Sequence, residues 1–292
     1  MRRLALALGL AALGGCKASR AVGVDASPVV LTGEVVSFSS GDRVLHGLVY
    51  RPSGPGPFPA LLYNHGSAPG MMSASAAEAL GPVFVAKGWV FFMPSRRGQG
   101  LSADAGPYIE DEIEAARGVG GPRAAASTMV RLLATDHLND QLAALEWLKK
   151  AVFVDANRIA VAGNSFGGIE TILGAERGSY CAAVDSAGAA QTWARAPEVQ
   201  ELMIHAARNA RTPVFFFQAE NDYDLSPSRT LSFQMKDAGK EAEIKIYPPF
   251  GGSVERAHSF GYFGSSVWGP DVLTFLEKHC PGVHRQPEVP GP

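Results

Sequence analysis

The chain is 292 residues long, 46% hydrophobic and 18% charged, with 26 basic residues against 28 acidic ones and a net charge of −2. This composition excludes a disordered or fibrous chain, and the near-balance of charge gives no sign of the basic excess on one face that a nucleic-acid partner needs, so none is expected. A chain of this length can bury roughly three quarters of its unfolded surface, so one domain can form a full core without metal or disulfide.

The N-terminus differs from the rest. Arg2 and Arg3 precede an apolar run over residues 4–13, about the length of a signal-peptide core and too short to span a bilayer. The run ends in Leu13-Gly14-Gly15-Cys16. This resembles the bacterial lipobox, in which the cysteine becomes the lipidated first residue of the mature protein. Residues 1–15 are therefore expected to be a signal peptide, 16–33 a lipidated cysteine and polar tether, and 34–292 a single domain. A lipid on Cys16 would make a membrane the partner, each buried methylene contributing roughly 0.8 kcal/mol. Lys17 after the cysteine points to an outer-membrane address. An ordinary cleaved signal is the alternative.

From residue 34 the chain alternates short apolar runs with helical stretches. Residues 34–38 and 44–50 read as a hairpin turned by Ser40-Gly41-Asp42, and 51–59, with four prolines, as a surface loop. Buried parallel strands are expected over 60–63, 90–93, 159–162 and 214–217, joined by 182–184 and 243–247. Leu138, Leu142, Leu145 and Leu148 predict a helix over 138–150, with Lys149 and Lys150 placed to suit its dipole. Ser226-Pro227 opens another helix, and the last is expected from about 270 to 279. Residues 104–137 are long for a connection and form a possible lid insertion, or else a solvated helix feeding the one at 138. The pattern is α/β: a mostly parallel sheet of about eight strands with helices on both faces. Cys181 and Cys280 either bridge, as export permits, or stay as two buried thiols. No Cys/His cluster has metal-ligand spacing, so no metal is expected.

Chemistry concentrates at Gly163-Asn164-Ser165-Phe166-Gly167, which follows a strand and opens a helix. A serine on such a tight turn is strained and presents its hydroxyl above the sheet, which makes Ser165 the candidate nucleophile. Serine needs a general base, itself oriented by an acid. His258 lies after the last strand and before the last helix, where that base belongs. Asp222 follows the strand 214–217 at the expected offset, with Asp224 and Asp185 as alternatives; an unused aspartate would cap the next helix. An oxyanion hole needs two backbone amides, expected from Phe166 and from Ser67 in the loop Asn64-His65-Gly66-Ser67, which His65 should brace. Met71, Met72, Tyr108 and Trp193 follow strand ends and either line an acyl pocket or pack in the core.

Tyr63-Asn64-His65-Gly66, Arg97-Gly98-Gln99-Gly100, the run 155–168, the stretch 219–227 and His258-Ser259-Phe260 together resemble the dienelactone hydrolase branch of the α/β-hydrolases. The likeness extends to the catalytic domain of prolyl-oligopeptidase-type peptidases. It implies the α/β-hydrolase fold and ester or lactone hydrolysis through an acyl-enzyme, without a cofactor. Dienelactone hydrolases proper use a cysteine nucleophile, where this chain has Ser165. The expected function is a carboxylesterase acting on small or medium acyl esters. An aminopeptidase or amidase using the same groups is the alternative, and a non-catalytic binding module the reading from another class.

Overall fold

The computed structural model describes residues 32–67 and 75–282. The expected signal peptide, Cys16, the tether to residue 31, Met71 and Met72 lie outside the described residues. Among the described residues no helix is long and apolar enough to cross a membrane.

Strands β1 (Glu34–Ser40) and β2 (Arg43–Tyr50) form the opening hairpin, with Gly41 supplying the positive φ (59°) of its turn. Then follow β3 (Phe58–Asn64), α1 (Ser75–Val85), β4 (Val90–Pro94), α2 (Ile109–Leu132), α3 (Leu138–Lys150) and β5 (Val154–Asn164). The second half runs α4 (Phe166–Arg177), β6 (Ala183–Ser186), α5 (Pro197–Asn209), β7 (Val214–Ala219), α6 (Ser226–Asp237) and β8 (Ala242–Tyr247). Three helices close it: α7 (Val254–His258), α8 (Phe260–Phe263) and α9 (Ser265–His279). The eight strands make one sheet in the order β1-β2-β4-β3-β5-β6-β7-β8, antiparallel at β1, β2 and β4 and parallel from β4 onward.

Strands covered on both faces need near-continuous apolar runs, and residues 60–63, 90–93, 159–162 and 214–217 supply them. Alternate residues feed two cores. Leu62, Phe92, Val161 and Phe216 pack on one face with Leu132 of α2, Leu145 of α3, Ile169 of α4 and Met203 of α5. Leu61, Phe91, Ala160 and Phe215 pack on the other with Phe84 of α1, Tyr262 of α8 and Phe275 of α9. Truncating one such residue, Leu62→Ala for example, would cost about 2–5 kcal/mol because little can collapse into the cavity.

The structure shifts several expected boundaries. Pro59 lies inside β3 and not in a loop; it sits where the pairing with β5 is interrupted between Phe58 and Ala60, so its missing amide interrupts no regular ladder. Strand β5 starts five residues before the expected 159, because Phe58 pairs with Val154. Helix α9 begins at Ser265 with Pro270 inside it, on the exposed face. The stretch 104–137 folds as α2, kinked at Gly121 (φ 69°, ψ −165°), and a single π-helical turn, Leu133–His137, that runs into α3. Its apolar side, with Ile109, Ile113, Met129 and Leu132, belongs to the core. Trp193 is core as well.

Cys181, just before β6, and Cys280, just after α9, are joined by a disulfide with their Cα atoms 5.2 Å apart. Closing a loop of 99 residues removes much of the freedom of the unfolded chain, a contribution of up to about 5 kcal/mol. Reduction, or the pair Cys181→Ala and Cys280→Ala, should lower the unfolding free energy by about 2–5 kcal/mol in urea titrations. Identical urea midpoints with and without reductant would contradict this.

Candidate active site

The turn between β5 and α4 sets the site. Ser165 has φ 59° and ψ −118°, a backbone conformation that L-residues rarely adopt. It is held because the elements around it touch backbone to backbone. A Cβ on Gly167 would lie 1.9 Å from the Asn64 carbonyl oxygen of β3, and one on Gly163 2.2 Å from the Gly167 carbonyl oxygen. Both glycines are therefore required by clearance. The Ser165 amide donates to the Ser186 carbonyl of β6 (2.9 Å), which ties the turn to the neighbouring strand.

Three predicted side chains meet above this turn. His258 Nε2 is 2.8 Å from Ser165 Oγ, and His258 Nδ1 is 2.9 Å from Asp222 Oδ1. His258 is the last residue of the short helix α7 and not part of an open loop, and its ring meets the edge of Tyr223 at 5.2 Å. The Asp222 side chain is fully buried; Oδ1 also accepts the Tyr223 amide (2.7 Å) and Oδ2 accepts Gln218 Nε2 (3.0 Å). Three donors thus hold the carboxylate, and through it the imidazole. Asp224 points elsewhere and accepts the Ser226 amide at the start of α6, the capping role expected of an unused aspartate. Asp185 is buried below the turn and accepts only the Gly188 amide (2.9 Å).

Neither Phe166 nor Ser67 donates its backbone N–H to another group among the described residues. Phe166 opens α4, whose N-terminal partial charge favours an anion there. The Ser67 hydroxyl lies 3.4 Å from the Tyr108 hydroxyl and 3.4 Å from Gln99 Nε2. His65 braces its loop as expected: it is buried, burial and the neighbouring Arg96 cation press its pKa down to about 3, and its Nδ1 lies 2.7 Å from the Gly66 carbonyl.

Several residues that order the site carry no motif. Gln218 bridges Asp222, the Asp224 carbonyl (3.1 Å) and the Ser228 hydroxyl (2.7 Å). Asn164, the variable position before the serine, donates to the His258 carbonyl (3.1 Å) and accepts from Ser186 (2.9 Å). Arg96 and Glu170 form a buried ion pair at 2.9 Å. Glu170 stands in a helix whose residues from Phe166 to Ala175 are all buried, so its carboxylate needs the cation that faces it. Among the described residues, Glu241, Glu243 and His279 bring three possible metal ligands together, but at the opposite end of β8 from the site, with the Lys278 ammonium bonded to both carboxylates (2.8 and 3.2 Å).

Burial raises two acids near the turn. Glu170 is pushed up to about 7 even with Arg96 beside it, and Asp185 from 3.8 to about 7, held back only by the Gly188 amide. A carboxyl with a raised folded-state pKa contributes stability at low pH and loses it as pH rises through the folded value. Asp185→Asn removes that loss. Its urea midpoint relative to the parent should therefore rise between about pH 4 and pH 7 and level off above; a difference constant across this window would mean that Asp185 does not titrate there.

This fold recurs among solved structures. Acylaminoacyl peptidase of Pyrococcus horikoshii superposes with a TM-score of 0.60 at 18% identity, over 88% of this chain and 43% of that one. A puromycin-hydrolyzing peptidase of Mycobacterium tuberculosis gives 0.61 at 16% identity, over 90% and 42%. The esterase Est22 gives 0.60 at 16% identity, over 85% and 81%. The chain thus spans about two fifths of the two peptidases. No curated protein matches the sequence significantly. The dienelactone hydrolase family model matches residues 47–262, from within β2 to within α8, and so takes in Ser67, Ser165, Phe166, Asp222 and His258. The chain belongs to the dienelactone hydrolase family and has the α/β-hydrolase fold.

Proposed function

We propose that this hydrolase is a serine carboxylesterase acting on small or medium acyl esters. The unbroken relay Ser165–His258–Asp222, at 2.8 and 2.9 Å, carries the reading. Ser165 Oγ attacks the acyl carbon while His258 Nε2 takes its proton. Asp222 keeps the Nδ1 proton directed toward itself and stabilises the imidazolium that forms. The carbonyl oxygen, now anionic, is received by the Phe166 and Ser67 amides, which donate to no other group among the described residues. His258 returns its proton to the departing alcohol, and water then hydrolyses the acyl-enzyme through the same base. None of these steps draws on a cofactor.

Amide hydrolysis is the second reading, favoured by the likeness of the fold to two peptidases. Ester and amide share the tetrahedral intermediate, so the relay serves both. Matched p-nitrophenyl esters and p-nitroanilides separate them: ester turnover should dominate, and anilide turnover without ester turnover would overturn the esterase reading. Ser165→Ala should lower kcat on short p-nitrophenyl esters at least about a thousandfold, and should lose labelling by a fluorophosphonate. Activity that survives in the variant would refute Ser165 as nucleophile. We further propose that the enzyme is exported and held on a membrane by lipid on Cys16. Cys16→Ser should then move it from the membrane to the soluble fraction of cells, and unchanged membrane association would refute the anchor.

A further inference from the structure

The loop after β3 is gripped from behind by a single guanidinium. Arg96, buried just past the end of β4, donates from Nη1 to the His65 carbonyl (2.6 Å) and to Glu170 Oε2 (2.9 Å). Its Nη2 donates to the Gly66 carbonyl (2.8 Å) and its Nε to Gln99 Oε1 (3.1 Å), while its Cζ lies 4.9 Å from the centre of the Phe166 ring. The Gly66 carbonyl has a second donor. His65 Nε2 accepts the Arg96 amide (3.3 Å), so the ring proton sits on Nδ1 and points at the Gly66 oxygen, 2.7 Å away.

The Gly66 carbonyl and the Ser67 amide belong to one planar trans peptide, and its C=O and N–H point in opposite directions. Two donors on that oxygen therefore fix where the Ser67 N–H points. One of them is a cation in a buried setting, so it also polarises the peptide and strengthens the amide as a donor. The preceding peptide is pinned at both ends as well: its oxygen by Arg96, and its Gly66 N–H by the Tyr262 hydroxyl at 2.6 Å. On its other side Arg96 is anchored through Glu170 to α4, the helix that begins at Phe166. Both expected oxyanion donors are thus referred to one side chain.

We propose that Arg96 is a positioning residue for the oxyanion hole, aiming and polarising the Ser67 amide and coupling its place to that of the Phe166 amide. The inference rests on the serine-hydrolase reading above. A purely structural ion pair would be replaceable by apolar side chains of similar volume, which often hold two elements together as well as the charges did. Apolar side chains cannot bind the two carbonyls.

The test is therefore the double variant Arg96→Met with Glu170→Met, which leaves no charge unpaired, alongside Arg96→Lys, which keeps the cation but loses the fork. Kinetics on a p-nitrophenyl ester are read with the affinity for a trifluoromethyl ketone, whose hemiketal oxyanion fills the hole. In the double variant kcat should fall roughly ten- to hundredfold with KM within twofold, and ketone affinity should fall by the same factor as kcat/KM. Arg96→Lys should lie between the two, and it alone decides if the double variant loses its near-UV spectrum. Unchanged kcat and ketone affinity in a folded variant, or a rise in KM alone, would overturn the role of Arg96. A parent that neither turns over esters nor labels with fluorophosphonate would instead overturn the serine-hydrolase reading, and this inference with it.

Discussion

Everything in the site depends on backbone packed directly against backbone between β3 and the start of α4. With only hydrogens at Gly163 and Gly167, the carbonyl of Asn64 comes to within a side chain's width of the turn, and Ser165 is forced into its rare conformation. The strain is small beside the two cores that hold the elements in place, each buried Leu or Phe contributing about 1.5–3 kcal/mol. Strain of this kind persists only where the surroundings over-determine it. Here the same contact that strains the serine also brings the loop 64–67 beside it. One close approach therefore places both the hydroxyl and the amide of Ser67.

Polar order is layered beneath that apolar frame. The Asp222 side chain is fully buried and takes three donors, and His258 is held through its ring by Asp222 and through its carbonyl by Asn164. Such an arrangement leaves the imidazole one productive orientation, which avoids reorganisation when charge develops. Arg97 does comparable work for the next loop. It forks onto Asp140 of α3 at 2.7 and 2.8 Å and reaches Asp136 at 3.2 Å, while Ser40 at the end of β1 donates to the same Asp140 (2.6 Å). The paired arginines of the sequence thus face opposite tasks, one bracing the loop after β3 and the other tying β4 to α3.

The strand count and sheet character were legible because parallel strands covered on both faces read as unbroken apolar runs, as 90–93 and 214–217 do. Ser165, His258 and Asp222 could be picked out because each follows a strand in the order this chemistry demands. Asp222 could not be separated from Asp224 with certainty, since two carboxylates two residues apart differ only in where the turn aims them. What escaped was long-range pairing. Arg96 meets Glu170 across 74 positions, and Gln218 serves Asp222 through a turn, so neither leaves a local pattern. The Cys181–Cys280 bridge was open for the same reason: spacing along the chain says nothing about 5.2 Å in space. The segment 104–137 read ambiguously because the glycines at its centre mark a kink in a helix as readily as a loop.

That kinked helix ties the edge of the site to the core. None of Ser165, Asp222 and His258 is borne by residues 104–137, and the eight-stranded sheet is continuous without them. The segment meets the site's edge through Tyr108, and its far foot is clamped by Arg97 on Asp136 and Asp140. The stretch therefore does two jobs at once: its apolar side closes one face of the sheet, while its two ends are held by polar contacts, so a change in its packing is felt at the loop that carries Ser67.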